Sequence, residues 1–218
     1  MNSFKDPLVP LIGSPVNIDR PIQALQVALG SLPWMQKSFG RAYESFKRDP
    51  TSKIKSVYPQ VWQGPGLDLL NVMPNDNLIS QSFFRVEDPI EVREFRIDSF
   101  STMRARVSLI VWFNLERIDP AKNYLFAEIL KADVQRILSI TTLHEGDSVK
   151  ILRIWERAAS VFAGYTIDET RDQELVYPFG GFRFELEINF IENCPSWILA
   201  GGVWSDAGVW DDSAVWID

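Results

Sequence analysis

The sequence predicts an α+β fold in which helices pack on one face of a largely antiparallel sheet, with extended arms at both ends of the chain. Apolar and polar residues alternate over residues 182–190, which is typical of a strand with one solvent-exposed face. A second alternating run covers residues 103–115, and residues 125–138 carry apolar side chains at helical spacing. Because the elements follow in the order helix, strands, helix, strands, an α+β arrangement is favoured.

The N-terminal part is predicted to be an extended arm over residues 1–20, followed by helices over residues 21–48. Pro21 suits a first helical position, and Gly30 and Pro33 are expected to interrupt the helix. Apolar residues then recur at spacings of three and four, which predicts a second helix. The polar side of that helix is basic and comprises Lys37, Arg41, Lys47 and Arg48. This basic helix face is either a solvated surface or a protein interface.

Residues 53–118 are predicted to be mainly β-strands. Ile110 and Trp112 fall on the second face of the strand over 103–115, so the middle of that strand is expected to be covered on both sides. An offset in the apolar pattern of the preceding strand predicts a bulge around residues 93–94.

The clearest helix signal is Asp119 followed by Pro120, an expected N-cap and first helical position for a helix that continues to residue 138. Residues 149–155 predict a strand, and a short helix is expected to follow around residues 156–162. The folded body is therefore predicted to cover residues 21–194 and to end near Cys194.

The composition argues against several classes of protein. The chain has 218 residues, of which 46% are hydrophobic, and no apolar run long enough to span a membrane. Its N-terminus lacks the pattern of a signal peptide, so we expect a protein that is neither exported nor bound to membranes. With a single Cys194 and a single His144, neither an internal disulfide nor a Cys/His zinc site is expected. Nucleotide-binding and metalloprotease motifs are missing from the sequence, so we predict no catalytic residues, cofactor or metal.

The distribution of charge and tryptophan favours assembly with other proteins. The net charge is −7, with +2 in residues 1–50 and −9 in the remainder, which argues against a general DNA-binding surface. The chain contains eight tryptophans, a residue type that is enriched at the centres of protein interfaces.

The C-terminal segment, residues 195–218, carries the most unusual pattern in the chain. Three copies of one repeat, VWSDAG, VWDDSA and the shorter VWID, fill residues 203–218. They place tryptophans and aspartates at intervals of six, at Trp204, Asp206, Trp210, Asp212, Trp216 and Asp218. In an extended segment a period of six returns these side chains to one side. Leaving three indoles in water would forgo roughly 11–19 kcal/mol as an upper bound, so another surface is expected to cover them.

The acidic repeat predicts a partner surface that carries Lys or Arg. The basic residues over 37–48 of an adjacent copy are one candidate surface. Packing against the body of the same chain is a second interpretation. A calcium site is a weaker third interpretation, because the spacing of an EF-hand loop and its closing Glu are missing.

Three segments resemble small neck proteins of tailed bacteriophages. They are YPQVWQGPGLDLLNVMPNDNLISQSFF over 58–84, LFAEILKADVQRIL over 125–138 and ELVYPFGGFRFELEINF over 174–190. Within that group, the sequence is most similar to ring proteins of crAss-like and related phages of Bacteroidetes, which are in turn similar to tail-terminator proteins. The resemblance covers roughly residues 22–191 and excludes the Trp/Asp repeat.

The resemblance implies a non-enzymatic virion protein with a tail-terminator-like body. Such a protein forms a homo-oligomeric ring, expected to hold twelve or six copies, in the head-to-tail passage. Its expected partners are adjacent portal, ring and tail proteins, together with phage DNA that passes through the lumen without sequence-specific binding. It is expected to assemble in the host cytoplasm and to reside in the neck or tail of the virion.

Two alternative functions follow from other interpretations of the same residues. The first is a strict tail-terminator protein that caps a tail tube. The second is a carbohydrate-binding or glycan-hydrolysing module, in which Trp210 would stack on a sugar ring and Asp211 and Asp212 would supply carboxylates.

Overall fold

The computed structural model describes residues 11–48, 55–64, 69–73, 78–94, 100–119, 121, 126–166 and 175–193. Within these residues, four helices and seven strands follow one another. Their order is α1 (Asp19–Gly30), β1 (Lys37–Arg48), β2 (Lys55–Val61), β3 (Leu70–Asn71), β4 (Ser80–Glu94), β5 (Phe100–Asn114), α2 (Leu115–Ile118), α3 (Phe126–Ile140), β6 (Ser148–Trp155), α4 (Ala158–Val161) and β7 (Phe179–Asn193).

The strands form one seven-stranded sheet in the order β3-β2-β1-β4-β5-β7-β6. Every neighbouring pair is antiparallel except β1 and β4, which are parallel. The predicted α+β fold with a largely antiparallel sheet is therefore confirmed.

The two long helices pack on one face of the sheet. Leu25 of α1 and Val134 of α3 are buried against β5 residues such as Val107 and Leu109. The short helix α4 packs on the opposite face, where Phe162 follows it into a second apolar cluster.

The structure confirms that the middle of the central strand β5 is covered on both faces. Its odd-numbered positions, among them Val111 and Phe113, belong to the cluster under α1 and α3. Ile110 and Trp112 belong to the cluster on the α4 side. The bulge predicted around residues 93–94 is also present, because the pairing of β4 with β5 shifts between Val92 and Glu94.

The prediction of a helix over the second half of residues 21–48 is wrong, because residues 37–48 form strand β1. The pairing of β1 with β4 shifts between Ser38 and Arg41. Two residues of β1 thus lie opposite one of β4, which marks a bulge. The bulge brings Phe39 and Ala42, three positions apart, into the same apolar cluster. With Phe46 four positions further on, that spacing imitates a helix although the backbone is extended.

The predicted N-cap at Asp119 is also wrong for the long helix. Asp119 is the C-cap of α2, and its carboxylate accepts a hydrogen bond from the Ala121 amide at 3.0 Å. In the structure α3 begins at Phe126. Pro120 and residues 122–125 lie outside the described residues.

The first helix begins inside the segment that was expected to be an arm. α1 starts at Asp19, and Ile18 is already buried in the core. Arg20 makes two hydrogen bonds, of 2.9 and 2.7 Å, to the fully buried Asp147 before β6. These contacts anchor the N-terminal end of α1 beside the end of β7, where the Asp147 carboxylate also accepts from the Ile191 amide.

Candidate docking groove

A groove of about 480 Å³ lies between α1 and the β1–β2 part of the sheet. Its lining includes the buried residues Ile22 and Val61. Tyr43, Trp62 and Leu69 also line it and keep 45%, 37% and 47% of their surface exposed. The volume and the lining of this groove are typical of sites that bind a compact, largely apolar group.

The close approach of α1 to β1 sets the position of the groove. Gln26 of α1 donates a hydrogen bond to the Ser38 carbonyl at 3.0 Å, and the Ser38 hydroxyl donates back to the Gln26 carbonyl at 2.8 Å. Gly40 faces the same Gln26, and a Cβ at this position would lie only 2.7 Å from the amide oxygen. A larger residue at position 40 would therefore displace Gln26, which lines the groove.

One end of the groove is bounded by the segment that precedes α1. The Ile12 amide donates to the Gln23 side-chain oxygen at 2.8 Å, and the Gln23 side chain donates to the Ile12 carbonyl at 2.9 Å. This reciprocal pair holds Ile12, an exposed apolar residue, at the wall of the groove.

The groove also contains a carboxylate and a guanidinium. Asp19 Oδ1 lies 3.8 Å from Arg41 Nη1, which is too long for a hydrogen bond. This oxygen is shielded from solvent and accepts no hydrogen bond within the described structure. Burial raises the pKa of Asp19, and the nearby Arg41 charge opposes that rise. Oδ1 is therefore under-satisfied but shielded, whereas the Asp19 side chain as a whole keeps 22% of its surface exposed toward an incoming donor.

Of the four predicted basic residues, only Arg41 lines the groove. Lys47 lies on the same face of β1 by strand alternation and is exposed. The bulge places Lys37 on the opposite face, and the side chain of Arg48 is outside the described residues. The four residues therefore do not form one continuous basic face.

The predicted tail residues, Trp204, Asp206, Trp210, Asp212, Trp216 and Asp218, lie outside the described residues. The sequence pattern did not predict that Asp19, Tyr43, Trp62 and Leu69 belong to a site. A strand interpretation of residues 37–48 would have placed Arg41 and Tyr43 on one face, because residues two apart share a face. No comparable signal connects them to Trp62 or Leu69.

A second polar cluster lies on the α4 side of the sheet. Glu87 accepts hydrogen bonds from Ser108 at 2.9 Å and from Arg183 at 3.0 Å. Arg85 pairs with Glu44 at 2.6 Å and donates to the carbonyl of residue 163 at 2.8 Å. Arg85 thus fastens the segment after α4 to the sheet, while Glu87 and Glu44 are paired with arginines of the cluster.

Metal and membrane features were searched over the described ranges only. Within them, no three His, Cys, Asp or Glu side chains converge as metal ligands would. Among the same residues, no helix has both the length and the apolar character needed to cross a bilayer.

No protein-family model matches this sequence, and no curated protein matches it significantly.

Proposed function

We propose that this chain is a structural virion protein that assembles into a homo-oligomeric ring in the neck or tail of a tailed bacteriophage. The observation that carries the proposal is the open apolar groove on a chain that also ends in an indole-rich repeat. Both features have apolar surface that association would remove from water.

Ring closure needs two different surfaces on each subunit, because neighbours in a cyclic ring larger than a dimer meet head to tail. The groove and the Trp/Asp repeat are two such surfaces, and their chemistry differs. The groove includes Arg41, whereas residues 203–218 contain four aspartates and no basic residue. Opposite charge favours contact between unlike surfaces and disfavours contact between two repeats.

The edge of the sheet offers a further contact for a neighbour. Among the described strands, β6 is the last on one side, and Ser148, Lys150, Arg153 and Trp155 along it are exposed. An unpaired edge strand has free backbone donors and acceptors that can pair with an extended segment of another subunit. This edge therefore supports assembly through either an arm or a strand.

In this proposal the ring stacks on portal, ring or tail proteins, and phage DNA passes through its lumen without sequence-specific contacts. The net charge of −7 supports this role, because a like-charged wall reduces adhesion of DNA. A solved ring with a basic lumen would contradict this part of the proposal.

The mass of the purified protein tests the proposal. Native mass spectrometry of the full chain should give a closed assembly of several 25.0 kDa subunits, and negative-stain images should show rings. A monomer at all accessible concentrations and salt conditions would contradict the proposal. The position of the ring in intact particles would separate a neck ring from a strict tail terminator.

A further inference from the structure

We propose that the groove between α1 and β1 binds one Trp-x-Asp unit from the C-terminal repeat of a neighbouring copy. This inference rests on the proposed ring, and it names the surfaces by which two subunits join. The three units are Trp204 to Asp206, Trp210 to Asp212 and Trp216 to Asp218.

The groove fits an indole in both its apolar and its polar parts. An indole has a flat apolar body and a single N–H donor. Tyr43, Trp62 and Leu69 offer exposed apolar surface for the body, and the Asp19 carboxylate, whose side chain is 22% exposed, offers an acceptor for the N–H. The same chain already contains this pairing, since Trp34 Nε1 donates to the Asp133 carboxylate at 3.2 Å.

The aspartate of each unit fits the charge beside that acceptor. In an extended segment, side chains two positions apart lie on the same side, roughly 7 Å from each other. An indole seated near Asp19 would therefore place its following carboxylate on the Arg41 side of the groove. Arg41 is only 3.8 Å from the Asp19 carboxylate and does not form a hydrogen bond with that oxygen at this distance.

The length of the repeat favours a neighbouring copy over the same chain. β7 ends at Asn193, and Glu192 accepts a hydrogen bond from Asn17 at 3.1 Å, so the chain leaves the described structure beside the start of α1. An extended segment from Trp204 to Trp216 would span about 40 Å, which is close to the diameter of a domain of this size. Such a segment is long enough to extend past the groove of its own chain and to reach a neighbouring subunit.

Pairs of single-cysteine variants of the full chain, all in a Cys194→Ser background, test the proposal. One partner carries Tyr43→Cys at the groove. The other carries a cysteine two positions before one tryptophan of the repeat, on the same side of the extended segment, at Gly202→Cys, Gly208→Cys or Ala214→Cys. The matched control replaces Tyr43→Cys by Phe46→Cys, which is 65% exposed and lies on the other face of β1.

Oxidation of the mixed variants should produce a covalent dimer for at least one repeat position with Tyr43→Cys and none with Phe46→Cys. Replacing Trp204, Trp210 and Trp216 by Ala should abolish that dimer. Equal yields with both groove-side cysteines would overturn the proposal. So would a disulfide that forms only inside a single chain carrying both cysteines.

The native mass separates this proposal from the proposed function. If the unmodified chain forms rings but no mixed dimer appears, the ring stands and the groove is not its interface. If the chain is a monomer, both proposals fail.

Discussion

Replacing Tyr43 by Ala should weaken self-association strongly while leaving the fold intact. The ring of Tyr43 is 45% exposed, and a docked repeat would cover that part. An aromatic side chain buries about 150–250 Å², so the exposed part amounts to roughly 70–110 Å². At about 25 cal/mol per Å², covering it contributes roughly 1.7–2.8 kcal/mol, which corresponds to a dissociation constant weakened roughly 15- to 100-fold.

Sedimentation velocity over a concentration series measures this change. The control is Phe46→Ala, which removes a more exposed aromatic side chain from the opposite face of the same strand. Far-ultraviolet circular dichroism should be unchanged in both variants. If Tyr43→Ala and Phe46→Ala shift the dissociation constant equally, the reasoning about the groove is refuted.

Three further variants test the physical account of the body. Gly164→Ala should cost about 1–3 kcal/mol of unfolding free energy, measured by denaturant titration, because φ is +94° and a Cβ would overlap the Arg85 guanidinium. Asp147→Asn should cost about 3 kcal/mol in the same assay, since it breaks a buried ion pair with Arg20. Asp19→Asn should raise the melting temperature at pH 7 and lose that advantage toward pH 3. The folded chain holds the Asp19 proton more tightly than the unfolded chain does, so its stability falls as pH rises above the unfolded pKa of about 3.9.

Matched controls exist for these variants. Gly13→Ala should be nearly neutral, because no atom lies within 4 Å of an added Cβ there. Glu145→Gln removes an exposed carboxylate two residues before Asp147 and should not change the unfolding free energy measurably. A stability gain of Asp19→Asn that grows toward low pH would contradict the assigned direction of its pKa.

The sequence predicted those strands in which alternation survives along the whole element. In β7, Phe184 and Leu186 are buried, whereas Glu185 and Glu187, which alternate with them, are only partly buried. The period of two is therefore visible in the sequence. In β5 the second apolar face was visible at Ile110 and Trp112. These patterns reflect burial directly, and burial is what fixes the register of a sheet.

The first strand and the groove were not predictable in the same way. A bulge between Ser38 and Arg41 changes the face on which β1 residues lie, and the resulting apolar spacing resembles that of a helix. The groove is lined by Asp19 of α1, Arg41 of β1 and Trp62, which follows β2. These residues lie close together because of the order of strands in the sheet. The local pattern of apolar and polar residues contains no information about the order of strands in the sheet.

The central claim is that a single copy of this polypeptide is incomplete without a neighbour to cover its indole repeat. Native mass spectrometry of the full chain, compared with a variant that ends at residue 202, tests it most directly. The account predicts a closed multimer for the full chain and smaller species for the shortened one, with the same circular dichroism. A full chain that is monomeric, with its repeat tryptophans shielded from a soluble quencher, would contradict it.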